Sequence, residues 1–147
     1  MHINHIGKES MKAVLQDEIS GCGFAVVATV AGKNYNEVKQ YANSIGIIAE
    51  DKKLYSGTAY VRKLLKHFRV KCSNMENPFE SWDKLPNTAL LSIKYHVENG
   101  VPYWHWTVFH RSGGKAVVLD PARYLVTNER SDFHRIKPKW FIEIYGT

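Results

Sequence analysis

The chain has 147 residues, of which 44% are hydrophobic and 23% charged, and it carries a formal charge of +6. These values describe one folded domain with a real core, and they exclude both a disordered chain and two full domains. No apolar segment of signal-peptide type opens the chain. The longest mostly apolar run, Phe24 to Ala31, is far too short to cross a membrane, so the expected location is cytoplasmic.

In chain order, residues 1–10 read as a flexible N-terminal segment and 11–147 as a single domain. His2 and His5 fall in that first segment, where they make a poor metal site. Ser20 and Gly21 precede a run from Cys22 to Ala31 whose Ala25, Ala28 and Thr29 suit a tightly packed buried helix, and Gly32 ends it. Asn34 or Asn36 caps a second helix with Val38, Tyr41, Ala42 and Ile45 at helical spacing, stopped by Gly46. Thr58 caps a third helix, in which Val61, Leu64, Leu65 and Phe68 form an apolar stripe. Opposite that stripe lie Arg62, Lys63, Lys66 and His67, which read as a solvated face.

From Asn87 onward the pattern changes to strands. Ala89–Tyr95, Val101–His110, Lys115–Leu119 and Trp140–Tyr145 are rich in β-branched and aromatic residues. Arg111-Ser-Gly-Gly-Lys115 reads as a hairpin turn. Helices followed by an antiparallel sheet give an α+β domain.

Chemistry concentrates at four positions. Cys22 stands at a helix start, where the positive end of the helix dipole and a nearby imidazolium favour thiolate. Gly21 and Gly23 beside it leave room for a substrate backbone to approach the sulfur. Gln16, six residues upstream, offers a side-chain amide to a developing oxyanion, with the backbone N–H of Cys22 as second donor. His105 is the candidate base, with His110 and His96 as competitors at strand ends. On a strand, His105 shares a face with Thr107 and Phe109, and Trp104, Trp106 and Val108 take the other. Asp120, before Pro121, ends the next strand, where it can orient the imidazole through the second ring nitrogen.

Cys72, the other cysteine, follows a strand-like run and has neither a helix start nor an expected base, so it reads as unreactive. Two cysteines form no disulfide framework, and neither lies in a zinc-ligand spacing. No metal and no cofactor are expected.

Taken together, Gln16…Cys22-Gly-x-Ala25-x-x-Ala28, then His105-Trp-Thr-Val108, then Asp120-Pro121, resembles the bacteriocin-processing peptidase domain of ABC exporters. That family belongs to the papain-like superfamily of cysteine peptidases and cuts after double-glycine leader peptides. The resemblance covers nearly the whole chain and implies a papain-like fold standing as a free domain. It implies Cys22 as nucleophile, His105 as base, Asp120 as orienting acid and Gln16 as oxyanion donor. One departure is visible: the family carries an acidic residue directly before the cysteine, and this chain has Gly21.

The resulting expectation is a cysteine peptidase or amidase that acts on a peptide or protein substrate through a thioester. An acyltransferase would use the same triad, and a non-catalytic peptide-binding domain would keep the same fold. Neither class separates from the first by sequence, although a pure binding module has no chemical need for all four residues. A nucleic-acid-binding surface built on Tyr103, Trp104, Trp106 and Phe109 is the outsider, because strand aromatics are more often core. Oligomeric state is not legible.

Overall fold

The computed structural model describes residues 11–54 and 56–146. The expectations placed on residues 1–10, including His2 and His5, lie outside the described residues. Among the described residues, three α-helices precede an antiparallel sheet: α1 (Cys22–Ala31), α2 (Tyr35–Ser44) and α3 (Ala59–His67). Six strands follow: β1 (Asn77–Pro78), β2 (Thr88–Glu98), β3 (Val101–Ser112), β4 (Lys115–Leu119), β5 (Glu129–Arg130) and β6 (Trp140–Glu143). They form one sheet in the order β1-β6-β2-β3-β4-β5. This is the α+β class expected from the sequence.

Alanines and valines without bulky polar interruption allow α1 to be buried on nearly every side, from Gly23 to Val30. Its one hydroxyl inside that run is satisfied locally: Thr29 Oγ1 donates to the Ala25 carbonyl at 2.8 Å and accepts from Val14 N–H at 3.0 Å. Gly32 then takes the left-handed conformation that ends the helix. Asn34 caps α2 reciprocally with Glu37, the arrangement that satisfies two otherwise orphaned amides. Thr58 precedes α3 but makes no capping hydrogen bond there. The face opposite the stripe of α3 is only partly solvated. Arg62 bonds the Ser73 carbonyl and pairs with Glu76 at 2.7 Å, and His67 stacks on Tyr41.

Period-two alternation along β3 divides the core in two. Trp106 and Val108 join α1, Leu90, Leu119 and Ile142 in the larger cluster. Phe109 faces the opposite way, into a smaller cluster with Leu91, Ile93, Val118 and Ile136. Short helical turns at Trp82–Lys84 and Phe133–Arg135 cover that second face. Trp106 and Phe109 are therefore buried on opposite sides of the sheet, which removes the stacking platform that the strand aromatics suggested.

Two refinements concern the strands. The two-residue strands β1 and β5 carry too short a pattern to be read from sequence. In β2 the register with β3 slips between Ile93 and His96, and Lys94 has φ of 54°. This is a β-bulge, and Ile93 at its start is the partner of His105.

Candidate active site

The approach to α1 is fixed on both sides. Val14 is tied to Thr29 in the helix, while Gln16 N–H donates to the Pro121 carbonyl at 3.0 Å. Arg123 Nε donates to the Gln16 carbonyl at 2.6 Å, and Arg123 Nη2 pairs with Asp17. The loop that follows Asp120 is thereby fastened to the segment that leads into Cys22. Residues more than one hundred positions apart converge for this reason.

Cys22 begins α1, whose first turn contains no acidic residue and whose N-cap, Gly21, has no side chain to cap it. The positive end of the helix dipole is thus left at the sulfur. The two glycines flanking the cysteine serve a different purpose from the one expected. A Cβ on Gly21 would stand 2.1 Å from the Tyr35 hydroxyl, and one on Gly23 would stand 2.1 Å from the Tyr60 hydroxyl. The space above each glycine holds a tyrosine. Tyr35 in turn hydrogen-bonds Glu18, which also pairs with Lys39. Burial and the Glu18 carboxylate both push the Tyr35 phenol up, so it stays protonated and donates. The absence of an acidic side chain at position 21 thus has a steric cause here.

His105 and Asp120 meet across β3 and the end of β4. His105 Nε2 lies 2.7 Å from Asp120 Oδ1, with the imidazole 16% exposed and the carboxylate 1%. The Asp120 contact occupies Nε2 and leaves Nδ1 available. Burial alone would push the imidazole down, but the hydrogen bond to Asp120 and the neighbouring Cys22 outweigh it and raise His105 to about 9. Burial would likewise raise the Asp120 carboxyl, yet His105, the Ala122 N–H and Arg130 hold it below its ordinary value. An acid held ionised against the second ring nitrogen keeps the imidazole in one orientation.

The surroundings of Asp120 were not visible in the sequence. Arg130 Nη1 donates to Asp120 Oδ2 at 3.0 Å, and the same guanidinium grips both oxygens of Asp132. Asn128 Nδ2 donates to the carbonyls of Asp120 and Ala122 at 2.7 and 2.8 Å. Every oxygen of the buried carboxylate therefore has a partner, as burial of a charge requires. Arg130 stood out only as one of several basic residues, since nothing in its neighbourhood announces a pairing across a sheet.

Gln16 is buried. Its Nε2 donates to the carbonyls of Glu18 at 3.1 Å and Ile19 at 2.6 Å, and its Oε1 has no partner. Gln16 and His105 both line a cleft of about 340 Å³ walled by Asp17–Ile19, Lys94 and Ala122–Tyr124. Lys94 and Tyr124 meet across that cleft through a hydrogen bond and a cation–π contact.

The competing histidines lie elsewhere. His110 Nδ1 bonds Thr88 Oγ1 at 2.9 Å, and burial pushes its pKa down. His96 pairs with Glu98 on the exposed end of the β2–β3 hairpin. Cys72 forms an isolated bridge with Ile144 and has the Arg62 guanidinium 3.7 Å from its sulfur. Among the described residues, no group of three or more His, Cys, Asp or Glu side chains could hold a metal ion, and no helix is long and apolar enough to cross a membrane.

No protein-family model matches the chain, and no curated protein matches its sequence. Its structure is similar to the crystal structure of the peptidase domain of Streptococcus ComA, a bi-functional ABC transporter involved in a quorum sensing pathway. The two share 17% sequence identity and a TM-score of 0.58, over 92% of this chain and 98% of that one. The resemblance carried by Gln16, Cys22, His105 and Asp120 is thus met by a common architecture: this chain has the fold of an ABC-transporter peptidase domain.

Proposed function

We propose that the chain is a papain-like cysteine peptidase in which Cys22 attacks a peptide bond. The observation that carries this reading is His105, whose Nε2 bonds the buried Asp120 carboxylate while the neighbouring Cys22 thiol helps to raise the imidazole. With the proton on the imidazole, the sulfur is a thiolate and adds to the carbonyl carbon. The carbonyl oxygen becomes an oxyanion, to which the Cys22 N–H and the Gln16 amide donate hydrogen bonds. Collapse breaks the C–N bond, and His105 gives its proton to the departing amine. Water then attacks the thioester as His105 takes its proton, and collapse breaks the C–S bond, which releases the acid and restores the thiolate beside the protonated imidazole. Asp120 orients the ring throughout without itself accepting the proton.

Two measurements test the assignment. Brief iodoacetamide treatment at neutral pH followed by peptide mapping should label Cys22 well ahead of Cys72. A peptide panel that includes Gly-Gly sites should yield a covalent adduct on Cys22, and Cys22→Ala should abolish turnover. Preferential labelling of Cys72, or turnover that survives Cys22→Ala, would overturn the assignment.

A further inference from the structure

A second cleft, of about 470 Å³, adjoins the first. Its wall is built from Ile93–Tyr95 of β2, Arg130 of β5 and residues 135–139. Five of these side chains are cationic, Lys94, Arg130, Arg135, Lys137 and Lys139, and none is a carboxylate. Of the five, Arg130 is already engaged by Asp120 and both oxygens of Asp132. The remaining positive charge has no counter-charge in the wall. The one aromatic residue lining it, Tyr95, already stacks on Trp104 and lies under Lys139 Nζ at 5.1 Å. The surface therefore offers charge without a free ring for base stacking, which favours carboxylates over nucleic acid.

Two residues join this cleft to the catalytic centre. Lys94 lines both clefts, and Arg130 contacts the acid that orients His105. The departing amine takes its proton from His105, so the segment C-terminal to the cleaved bond emerges on the imidazole side. We propose that the basic cleft binds acidic side chains of the substrate on the C-terminal side of the cleaved bond, and so selects peptides that carry carboxylates there. The direction of this preference rests on the peptidase reading; the binding itself does not.

The test separates the two. A glutamate-rich peptide and its glutamine counterpart of equal length, each with an uncharged fluorophore, are titrated into Cys22→Ala protein and followed by anisotropy. The acidic peptide should bind about tenfold more tightly at low salt, and the margin should shrink as ionic strength rises. Lys137→Glu and Lys139→Glu, both at exposed positions away from the catalytic groups, should each cut that margin about three- to tenfold and leave the glutamine peptide unaffected. Thermal melts check that both variants fold. With active protein, kcat/KM should rise when the carboxylates lie C-terminal to the cleaved bond and not when they lie N-terminal to it. Equal binding of the two peptides, an unchanged margin in both variants, or displacement of the acidic peptide by single-stranded RNA with tighter affinity would overturn the proposed cleft. Equal kcat/KM for carboxylates on either side would overturn its position. Acidic-peptide binding in a protein that cleaves nothing would leave the cleft standing and remove the peptidase reading.

Discussion

Gln16 has one structural role and one proposed chemical role, and a mutation can separate them. Its amide hydrogens now satisfy the carbonyls of Glu18 and Ile19, so an oxyanion must displace one of them, and the longer bond, to Glu18, is the weaker hold. Gln16→Ala should slow turnover by about 10²–10³, the usual effect of losing one oxyanion donor. It should also lower thermal stability, because the carbonyls of Glu18 and Ile19 lose their donor. Full turnover in Gln16→Ala on any substrate that depends on Cys22 would exclude the oxyanion role. At this scale, the pairing of His105 with Asp120 was legible because an imidazole base needs an acid to orient it. Burial of Gln16 and the pairing of Arg130 with Asp120 were not, since both arise from contacts between segments that no local pattern relates.

Helix α1 is defined as much by what it lacks as by what it contains. Its Cys22–Ala31 span was readable from small apolar residues ending at Gly32, but the reason for glycine at 21 and 23 was not, because it resides in tyrosines on α2 and α3. Gly21→Ala should destabilise the protein by about 1–3 kcal/mol, the ordinary cost of overpacking, because Tyr35 is buried and tethered to Glu18. Gly23→Ala should also destabilise, because its Cβ would meet the Tyr60 hydroxyl and ring. Tyr35→Phe removes the clashing oxygen, so the double variant Gly21→Ala/Tyr35→Phe should recover part of the loss. Denaturant melts of the four proteins in a double-mutant cycle give the coupling, and strict additivity would refute the steric account. Among the strands, β2, β3, β4 and β6 followed from their alternating and β-branched runs. The bulge at Lys94 did not, because a lysine gives no sign of a left-handed backbone, whereas Gly113 and Gly114 between β3 and β4 do.

The whole molecule's stability should follow pH through the same pair that defines the site. His105 is raised from 6.5 to about 9, so its contribution is complete below pH 6.5 and fades as the pH rises through about 9. Asp120 is lowered from 3.8, so its contribution is present above that value and is lost as the pH falls through its folded-state pKa. The melting temperature should therefore decline on both flanks, and His105→Gln should flatten the alkaline flank selectively. Melting curves from acid to alkaline pH test this, and an alkaline decline that persists unchanged in His105→Gln would exclude His105 as its source.

The sheet also ends abruptly on both sides. Its described outer strands are two residues each, Asn77–Pro78 at one rim and Glu129–Arg130 at the other. Proline has no amide hydrogen to offer a newcomer, and charged residues make a poor ribbon for stacking. An extended polypeptide arriving at either rim finds almost no backbone to zip against. Long open rims expose a sheet to runaway strand addition and fibre growth, and these two blunt rims offer little to start it.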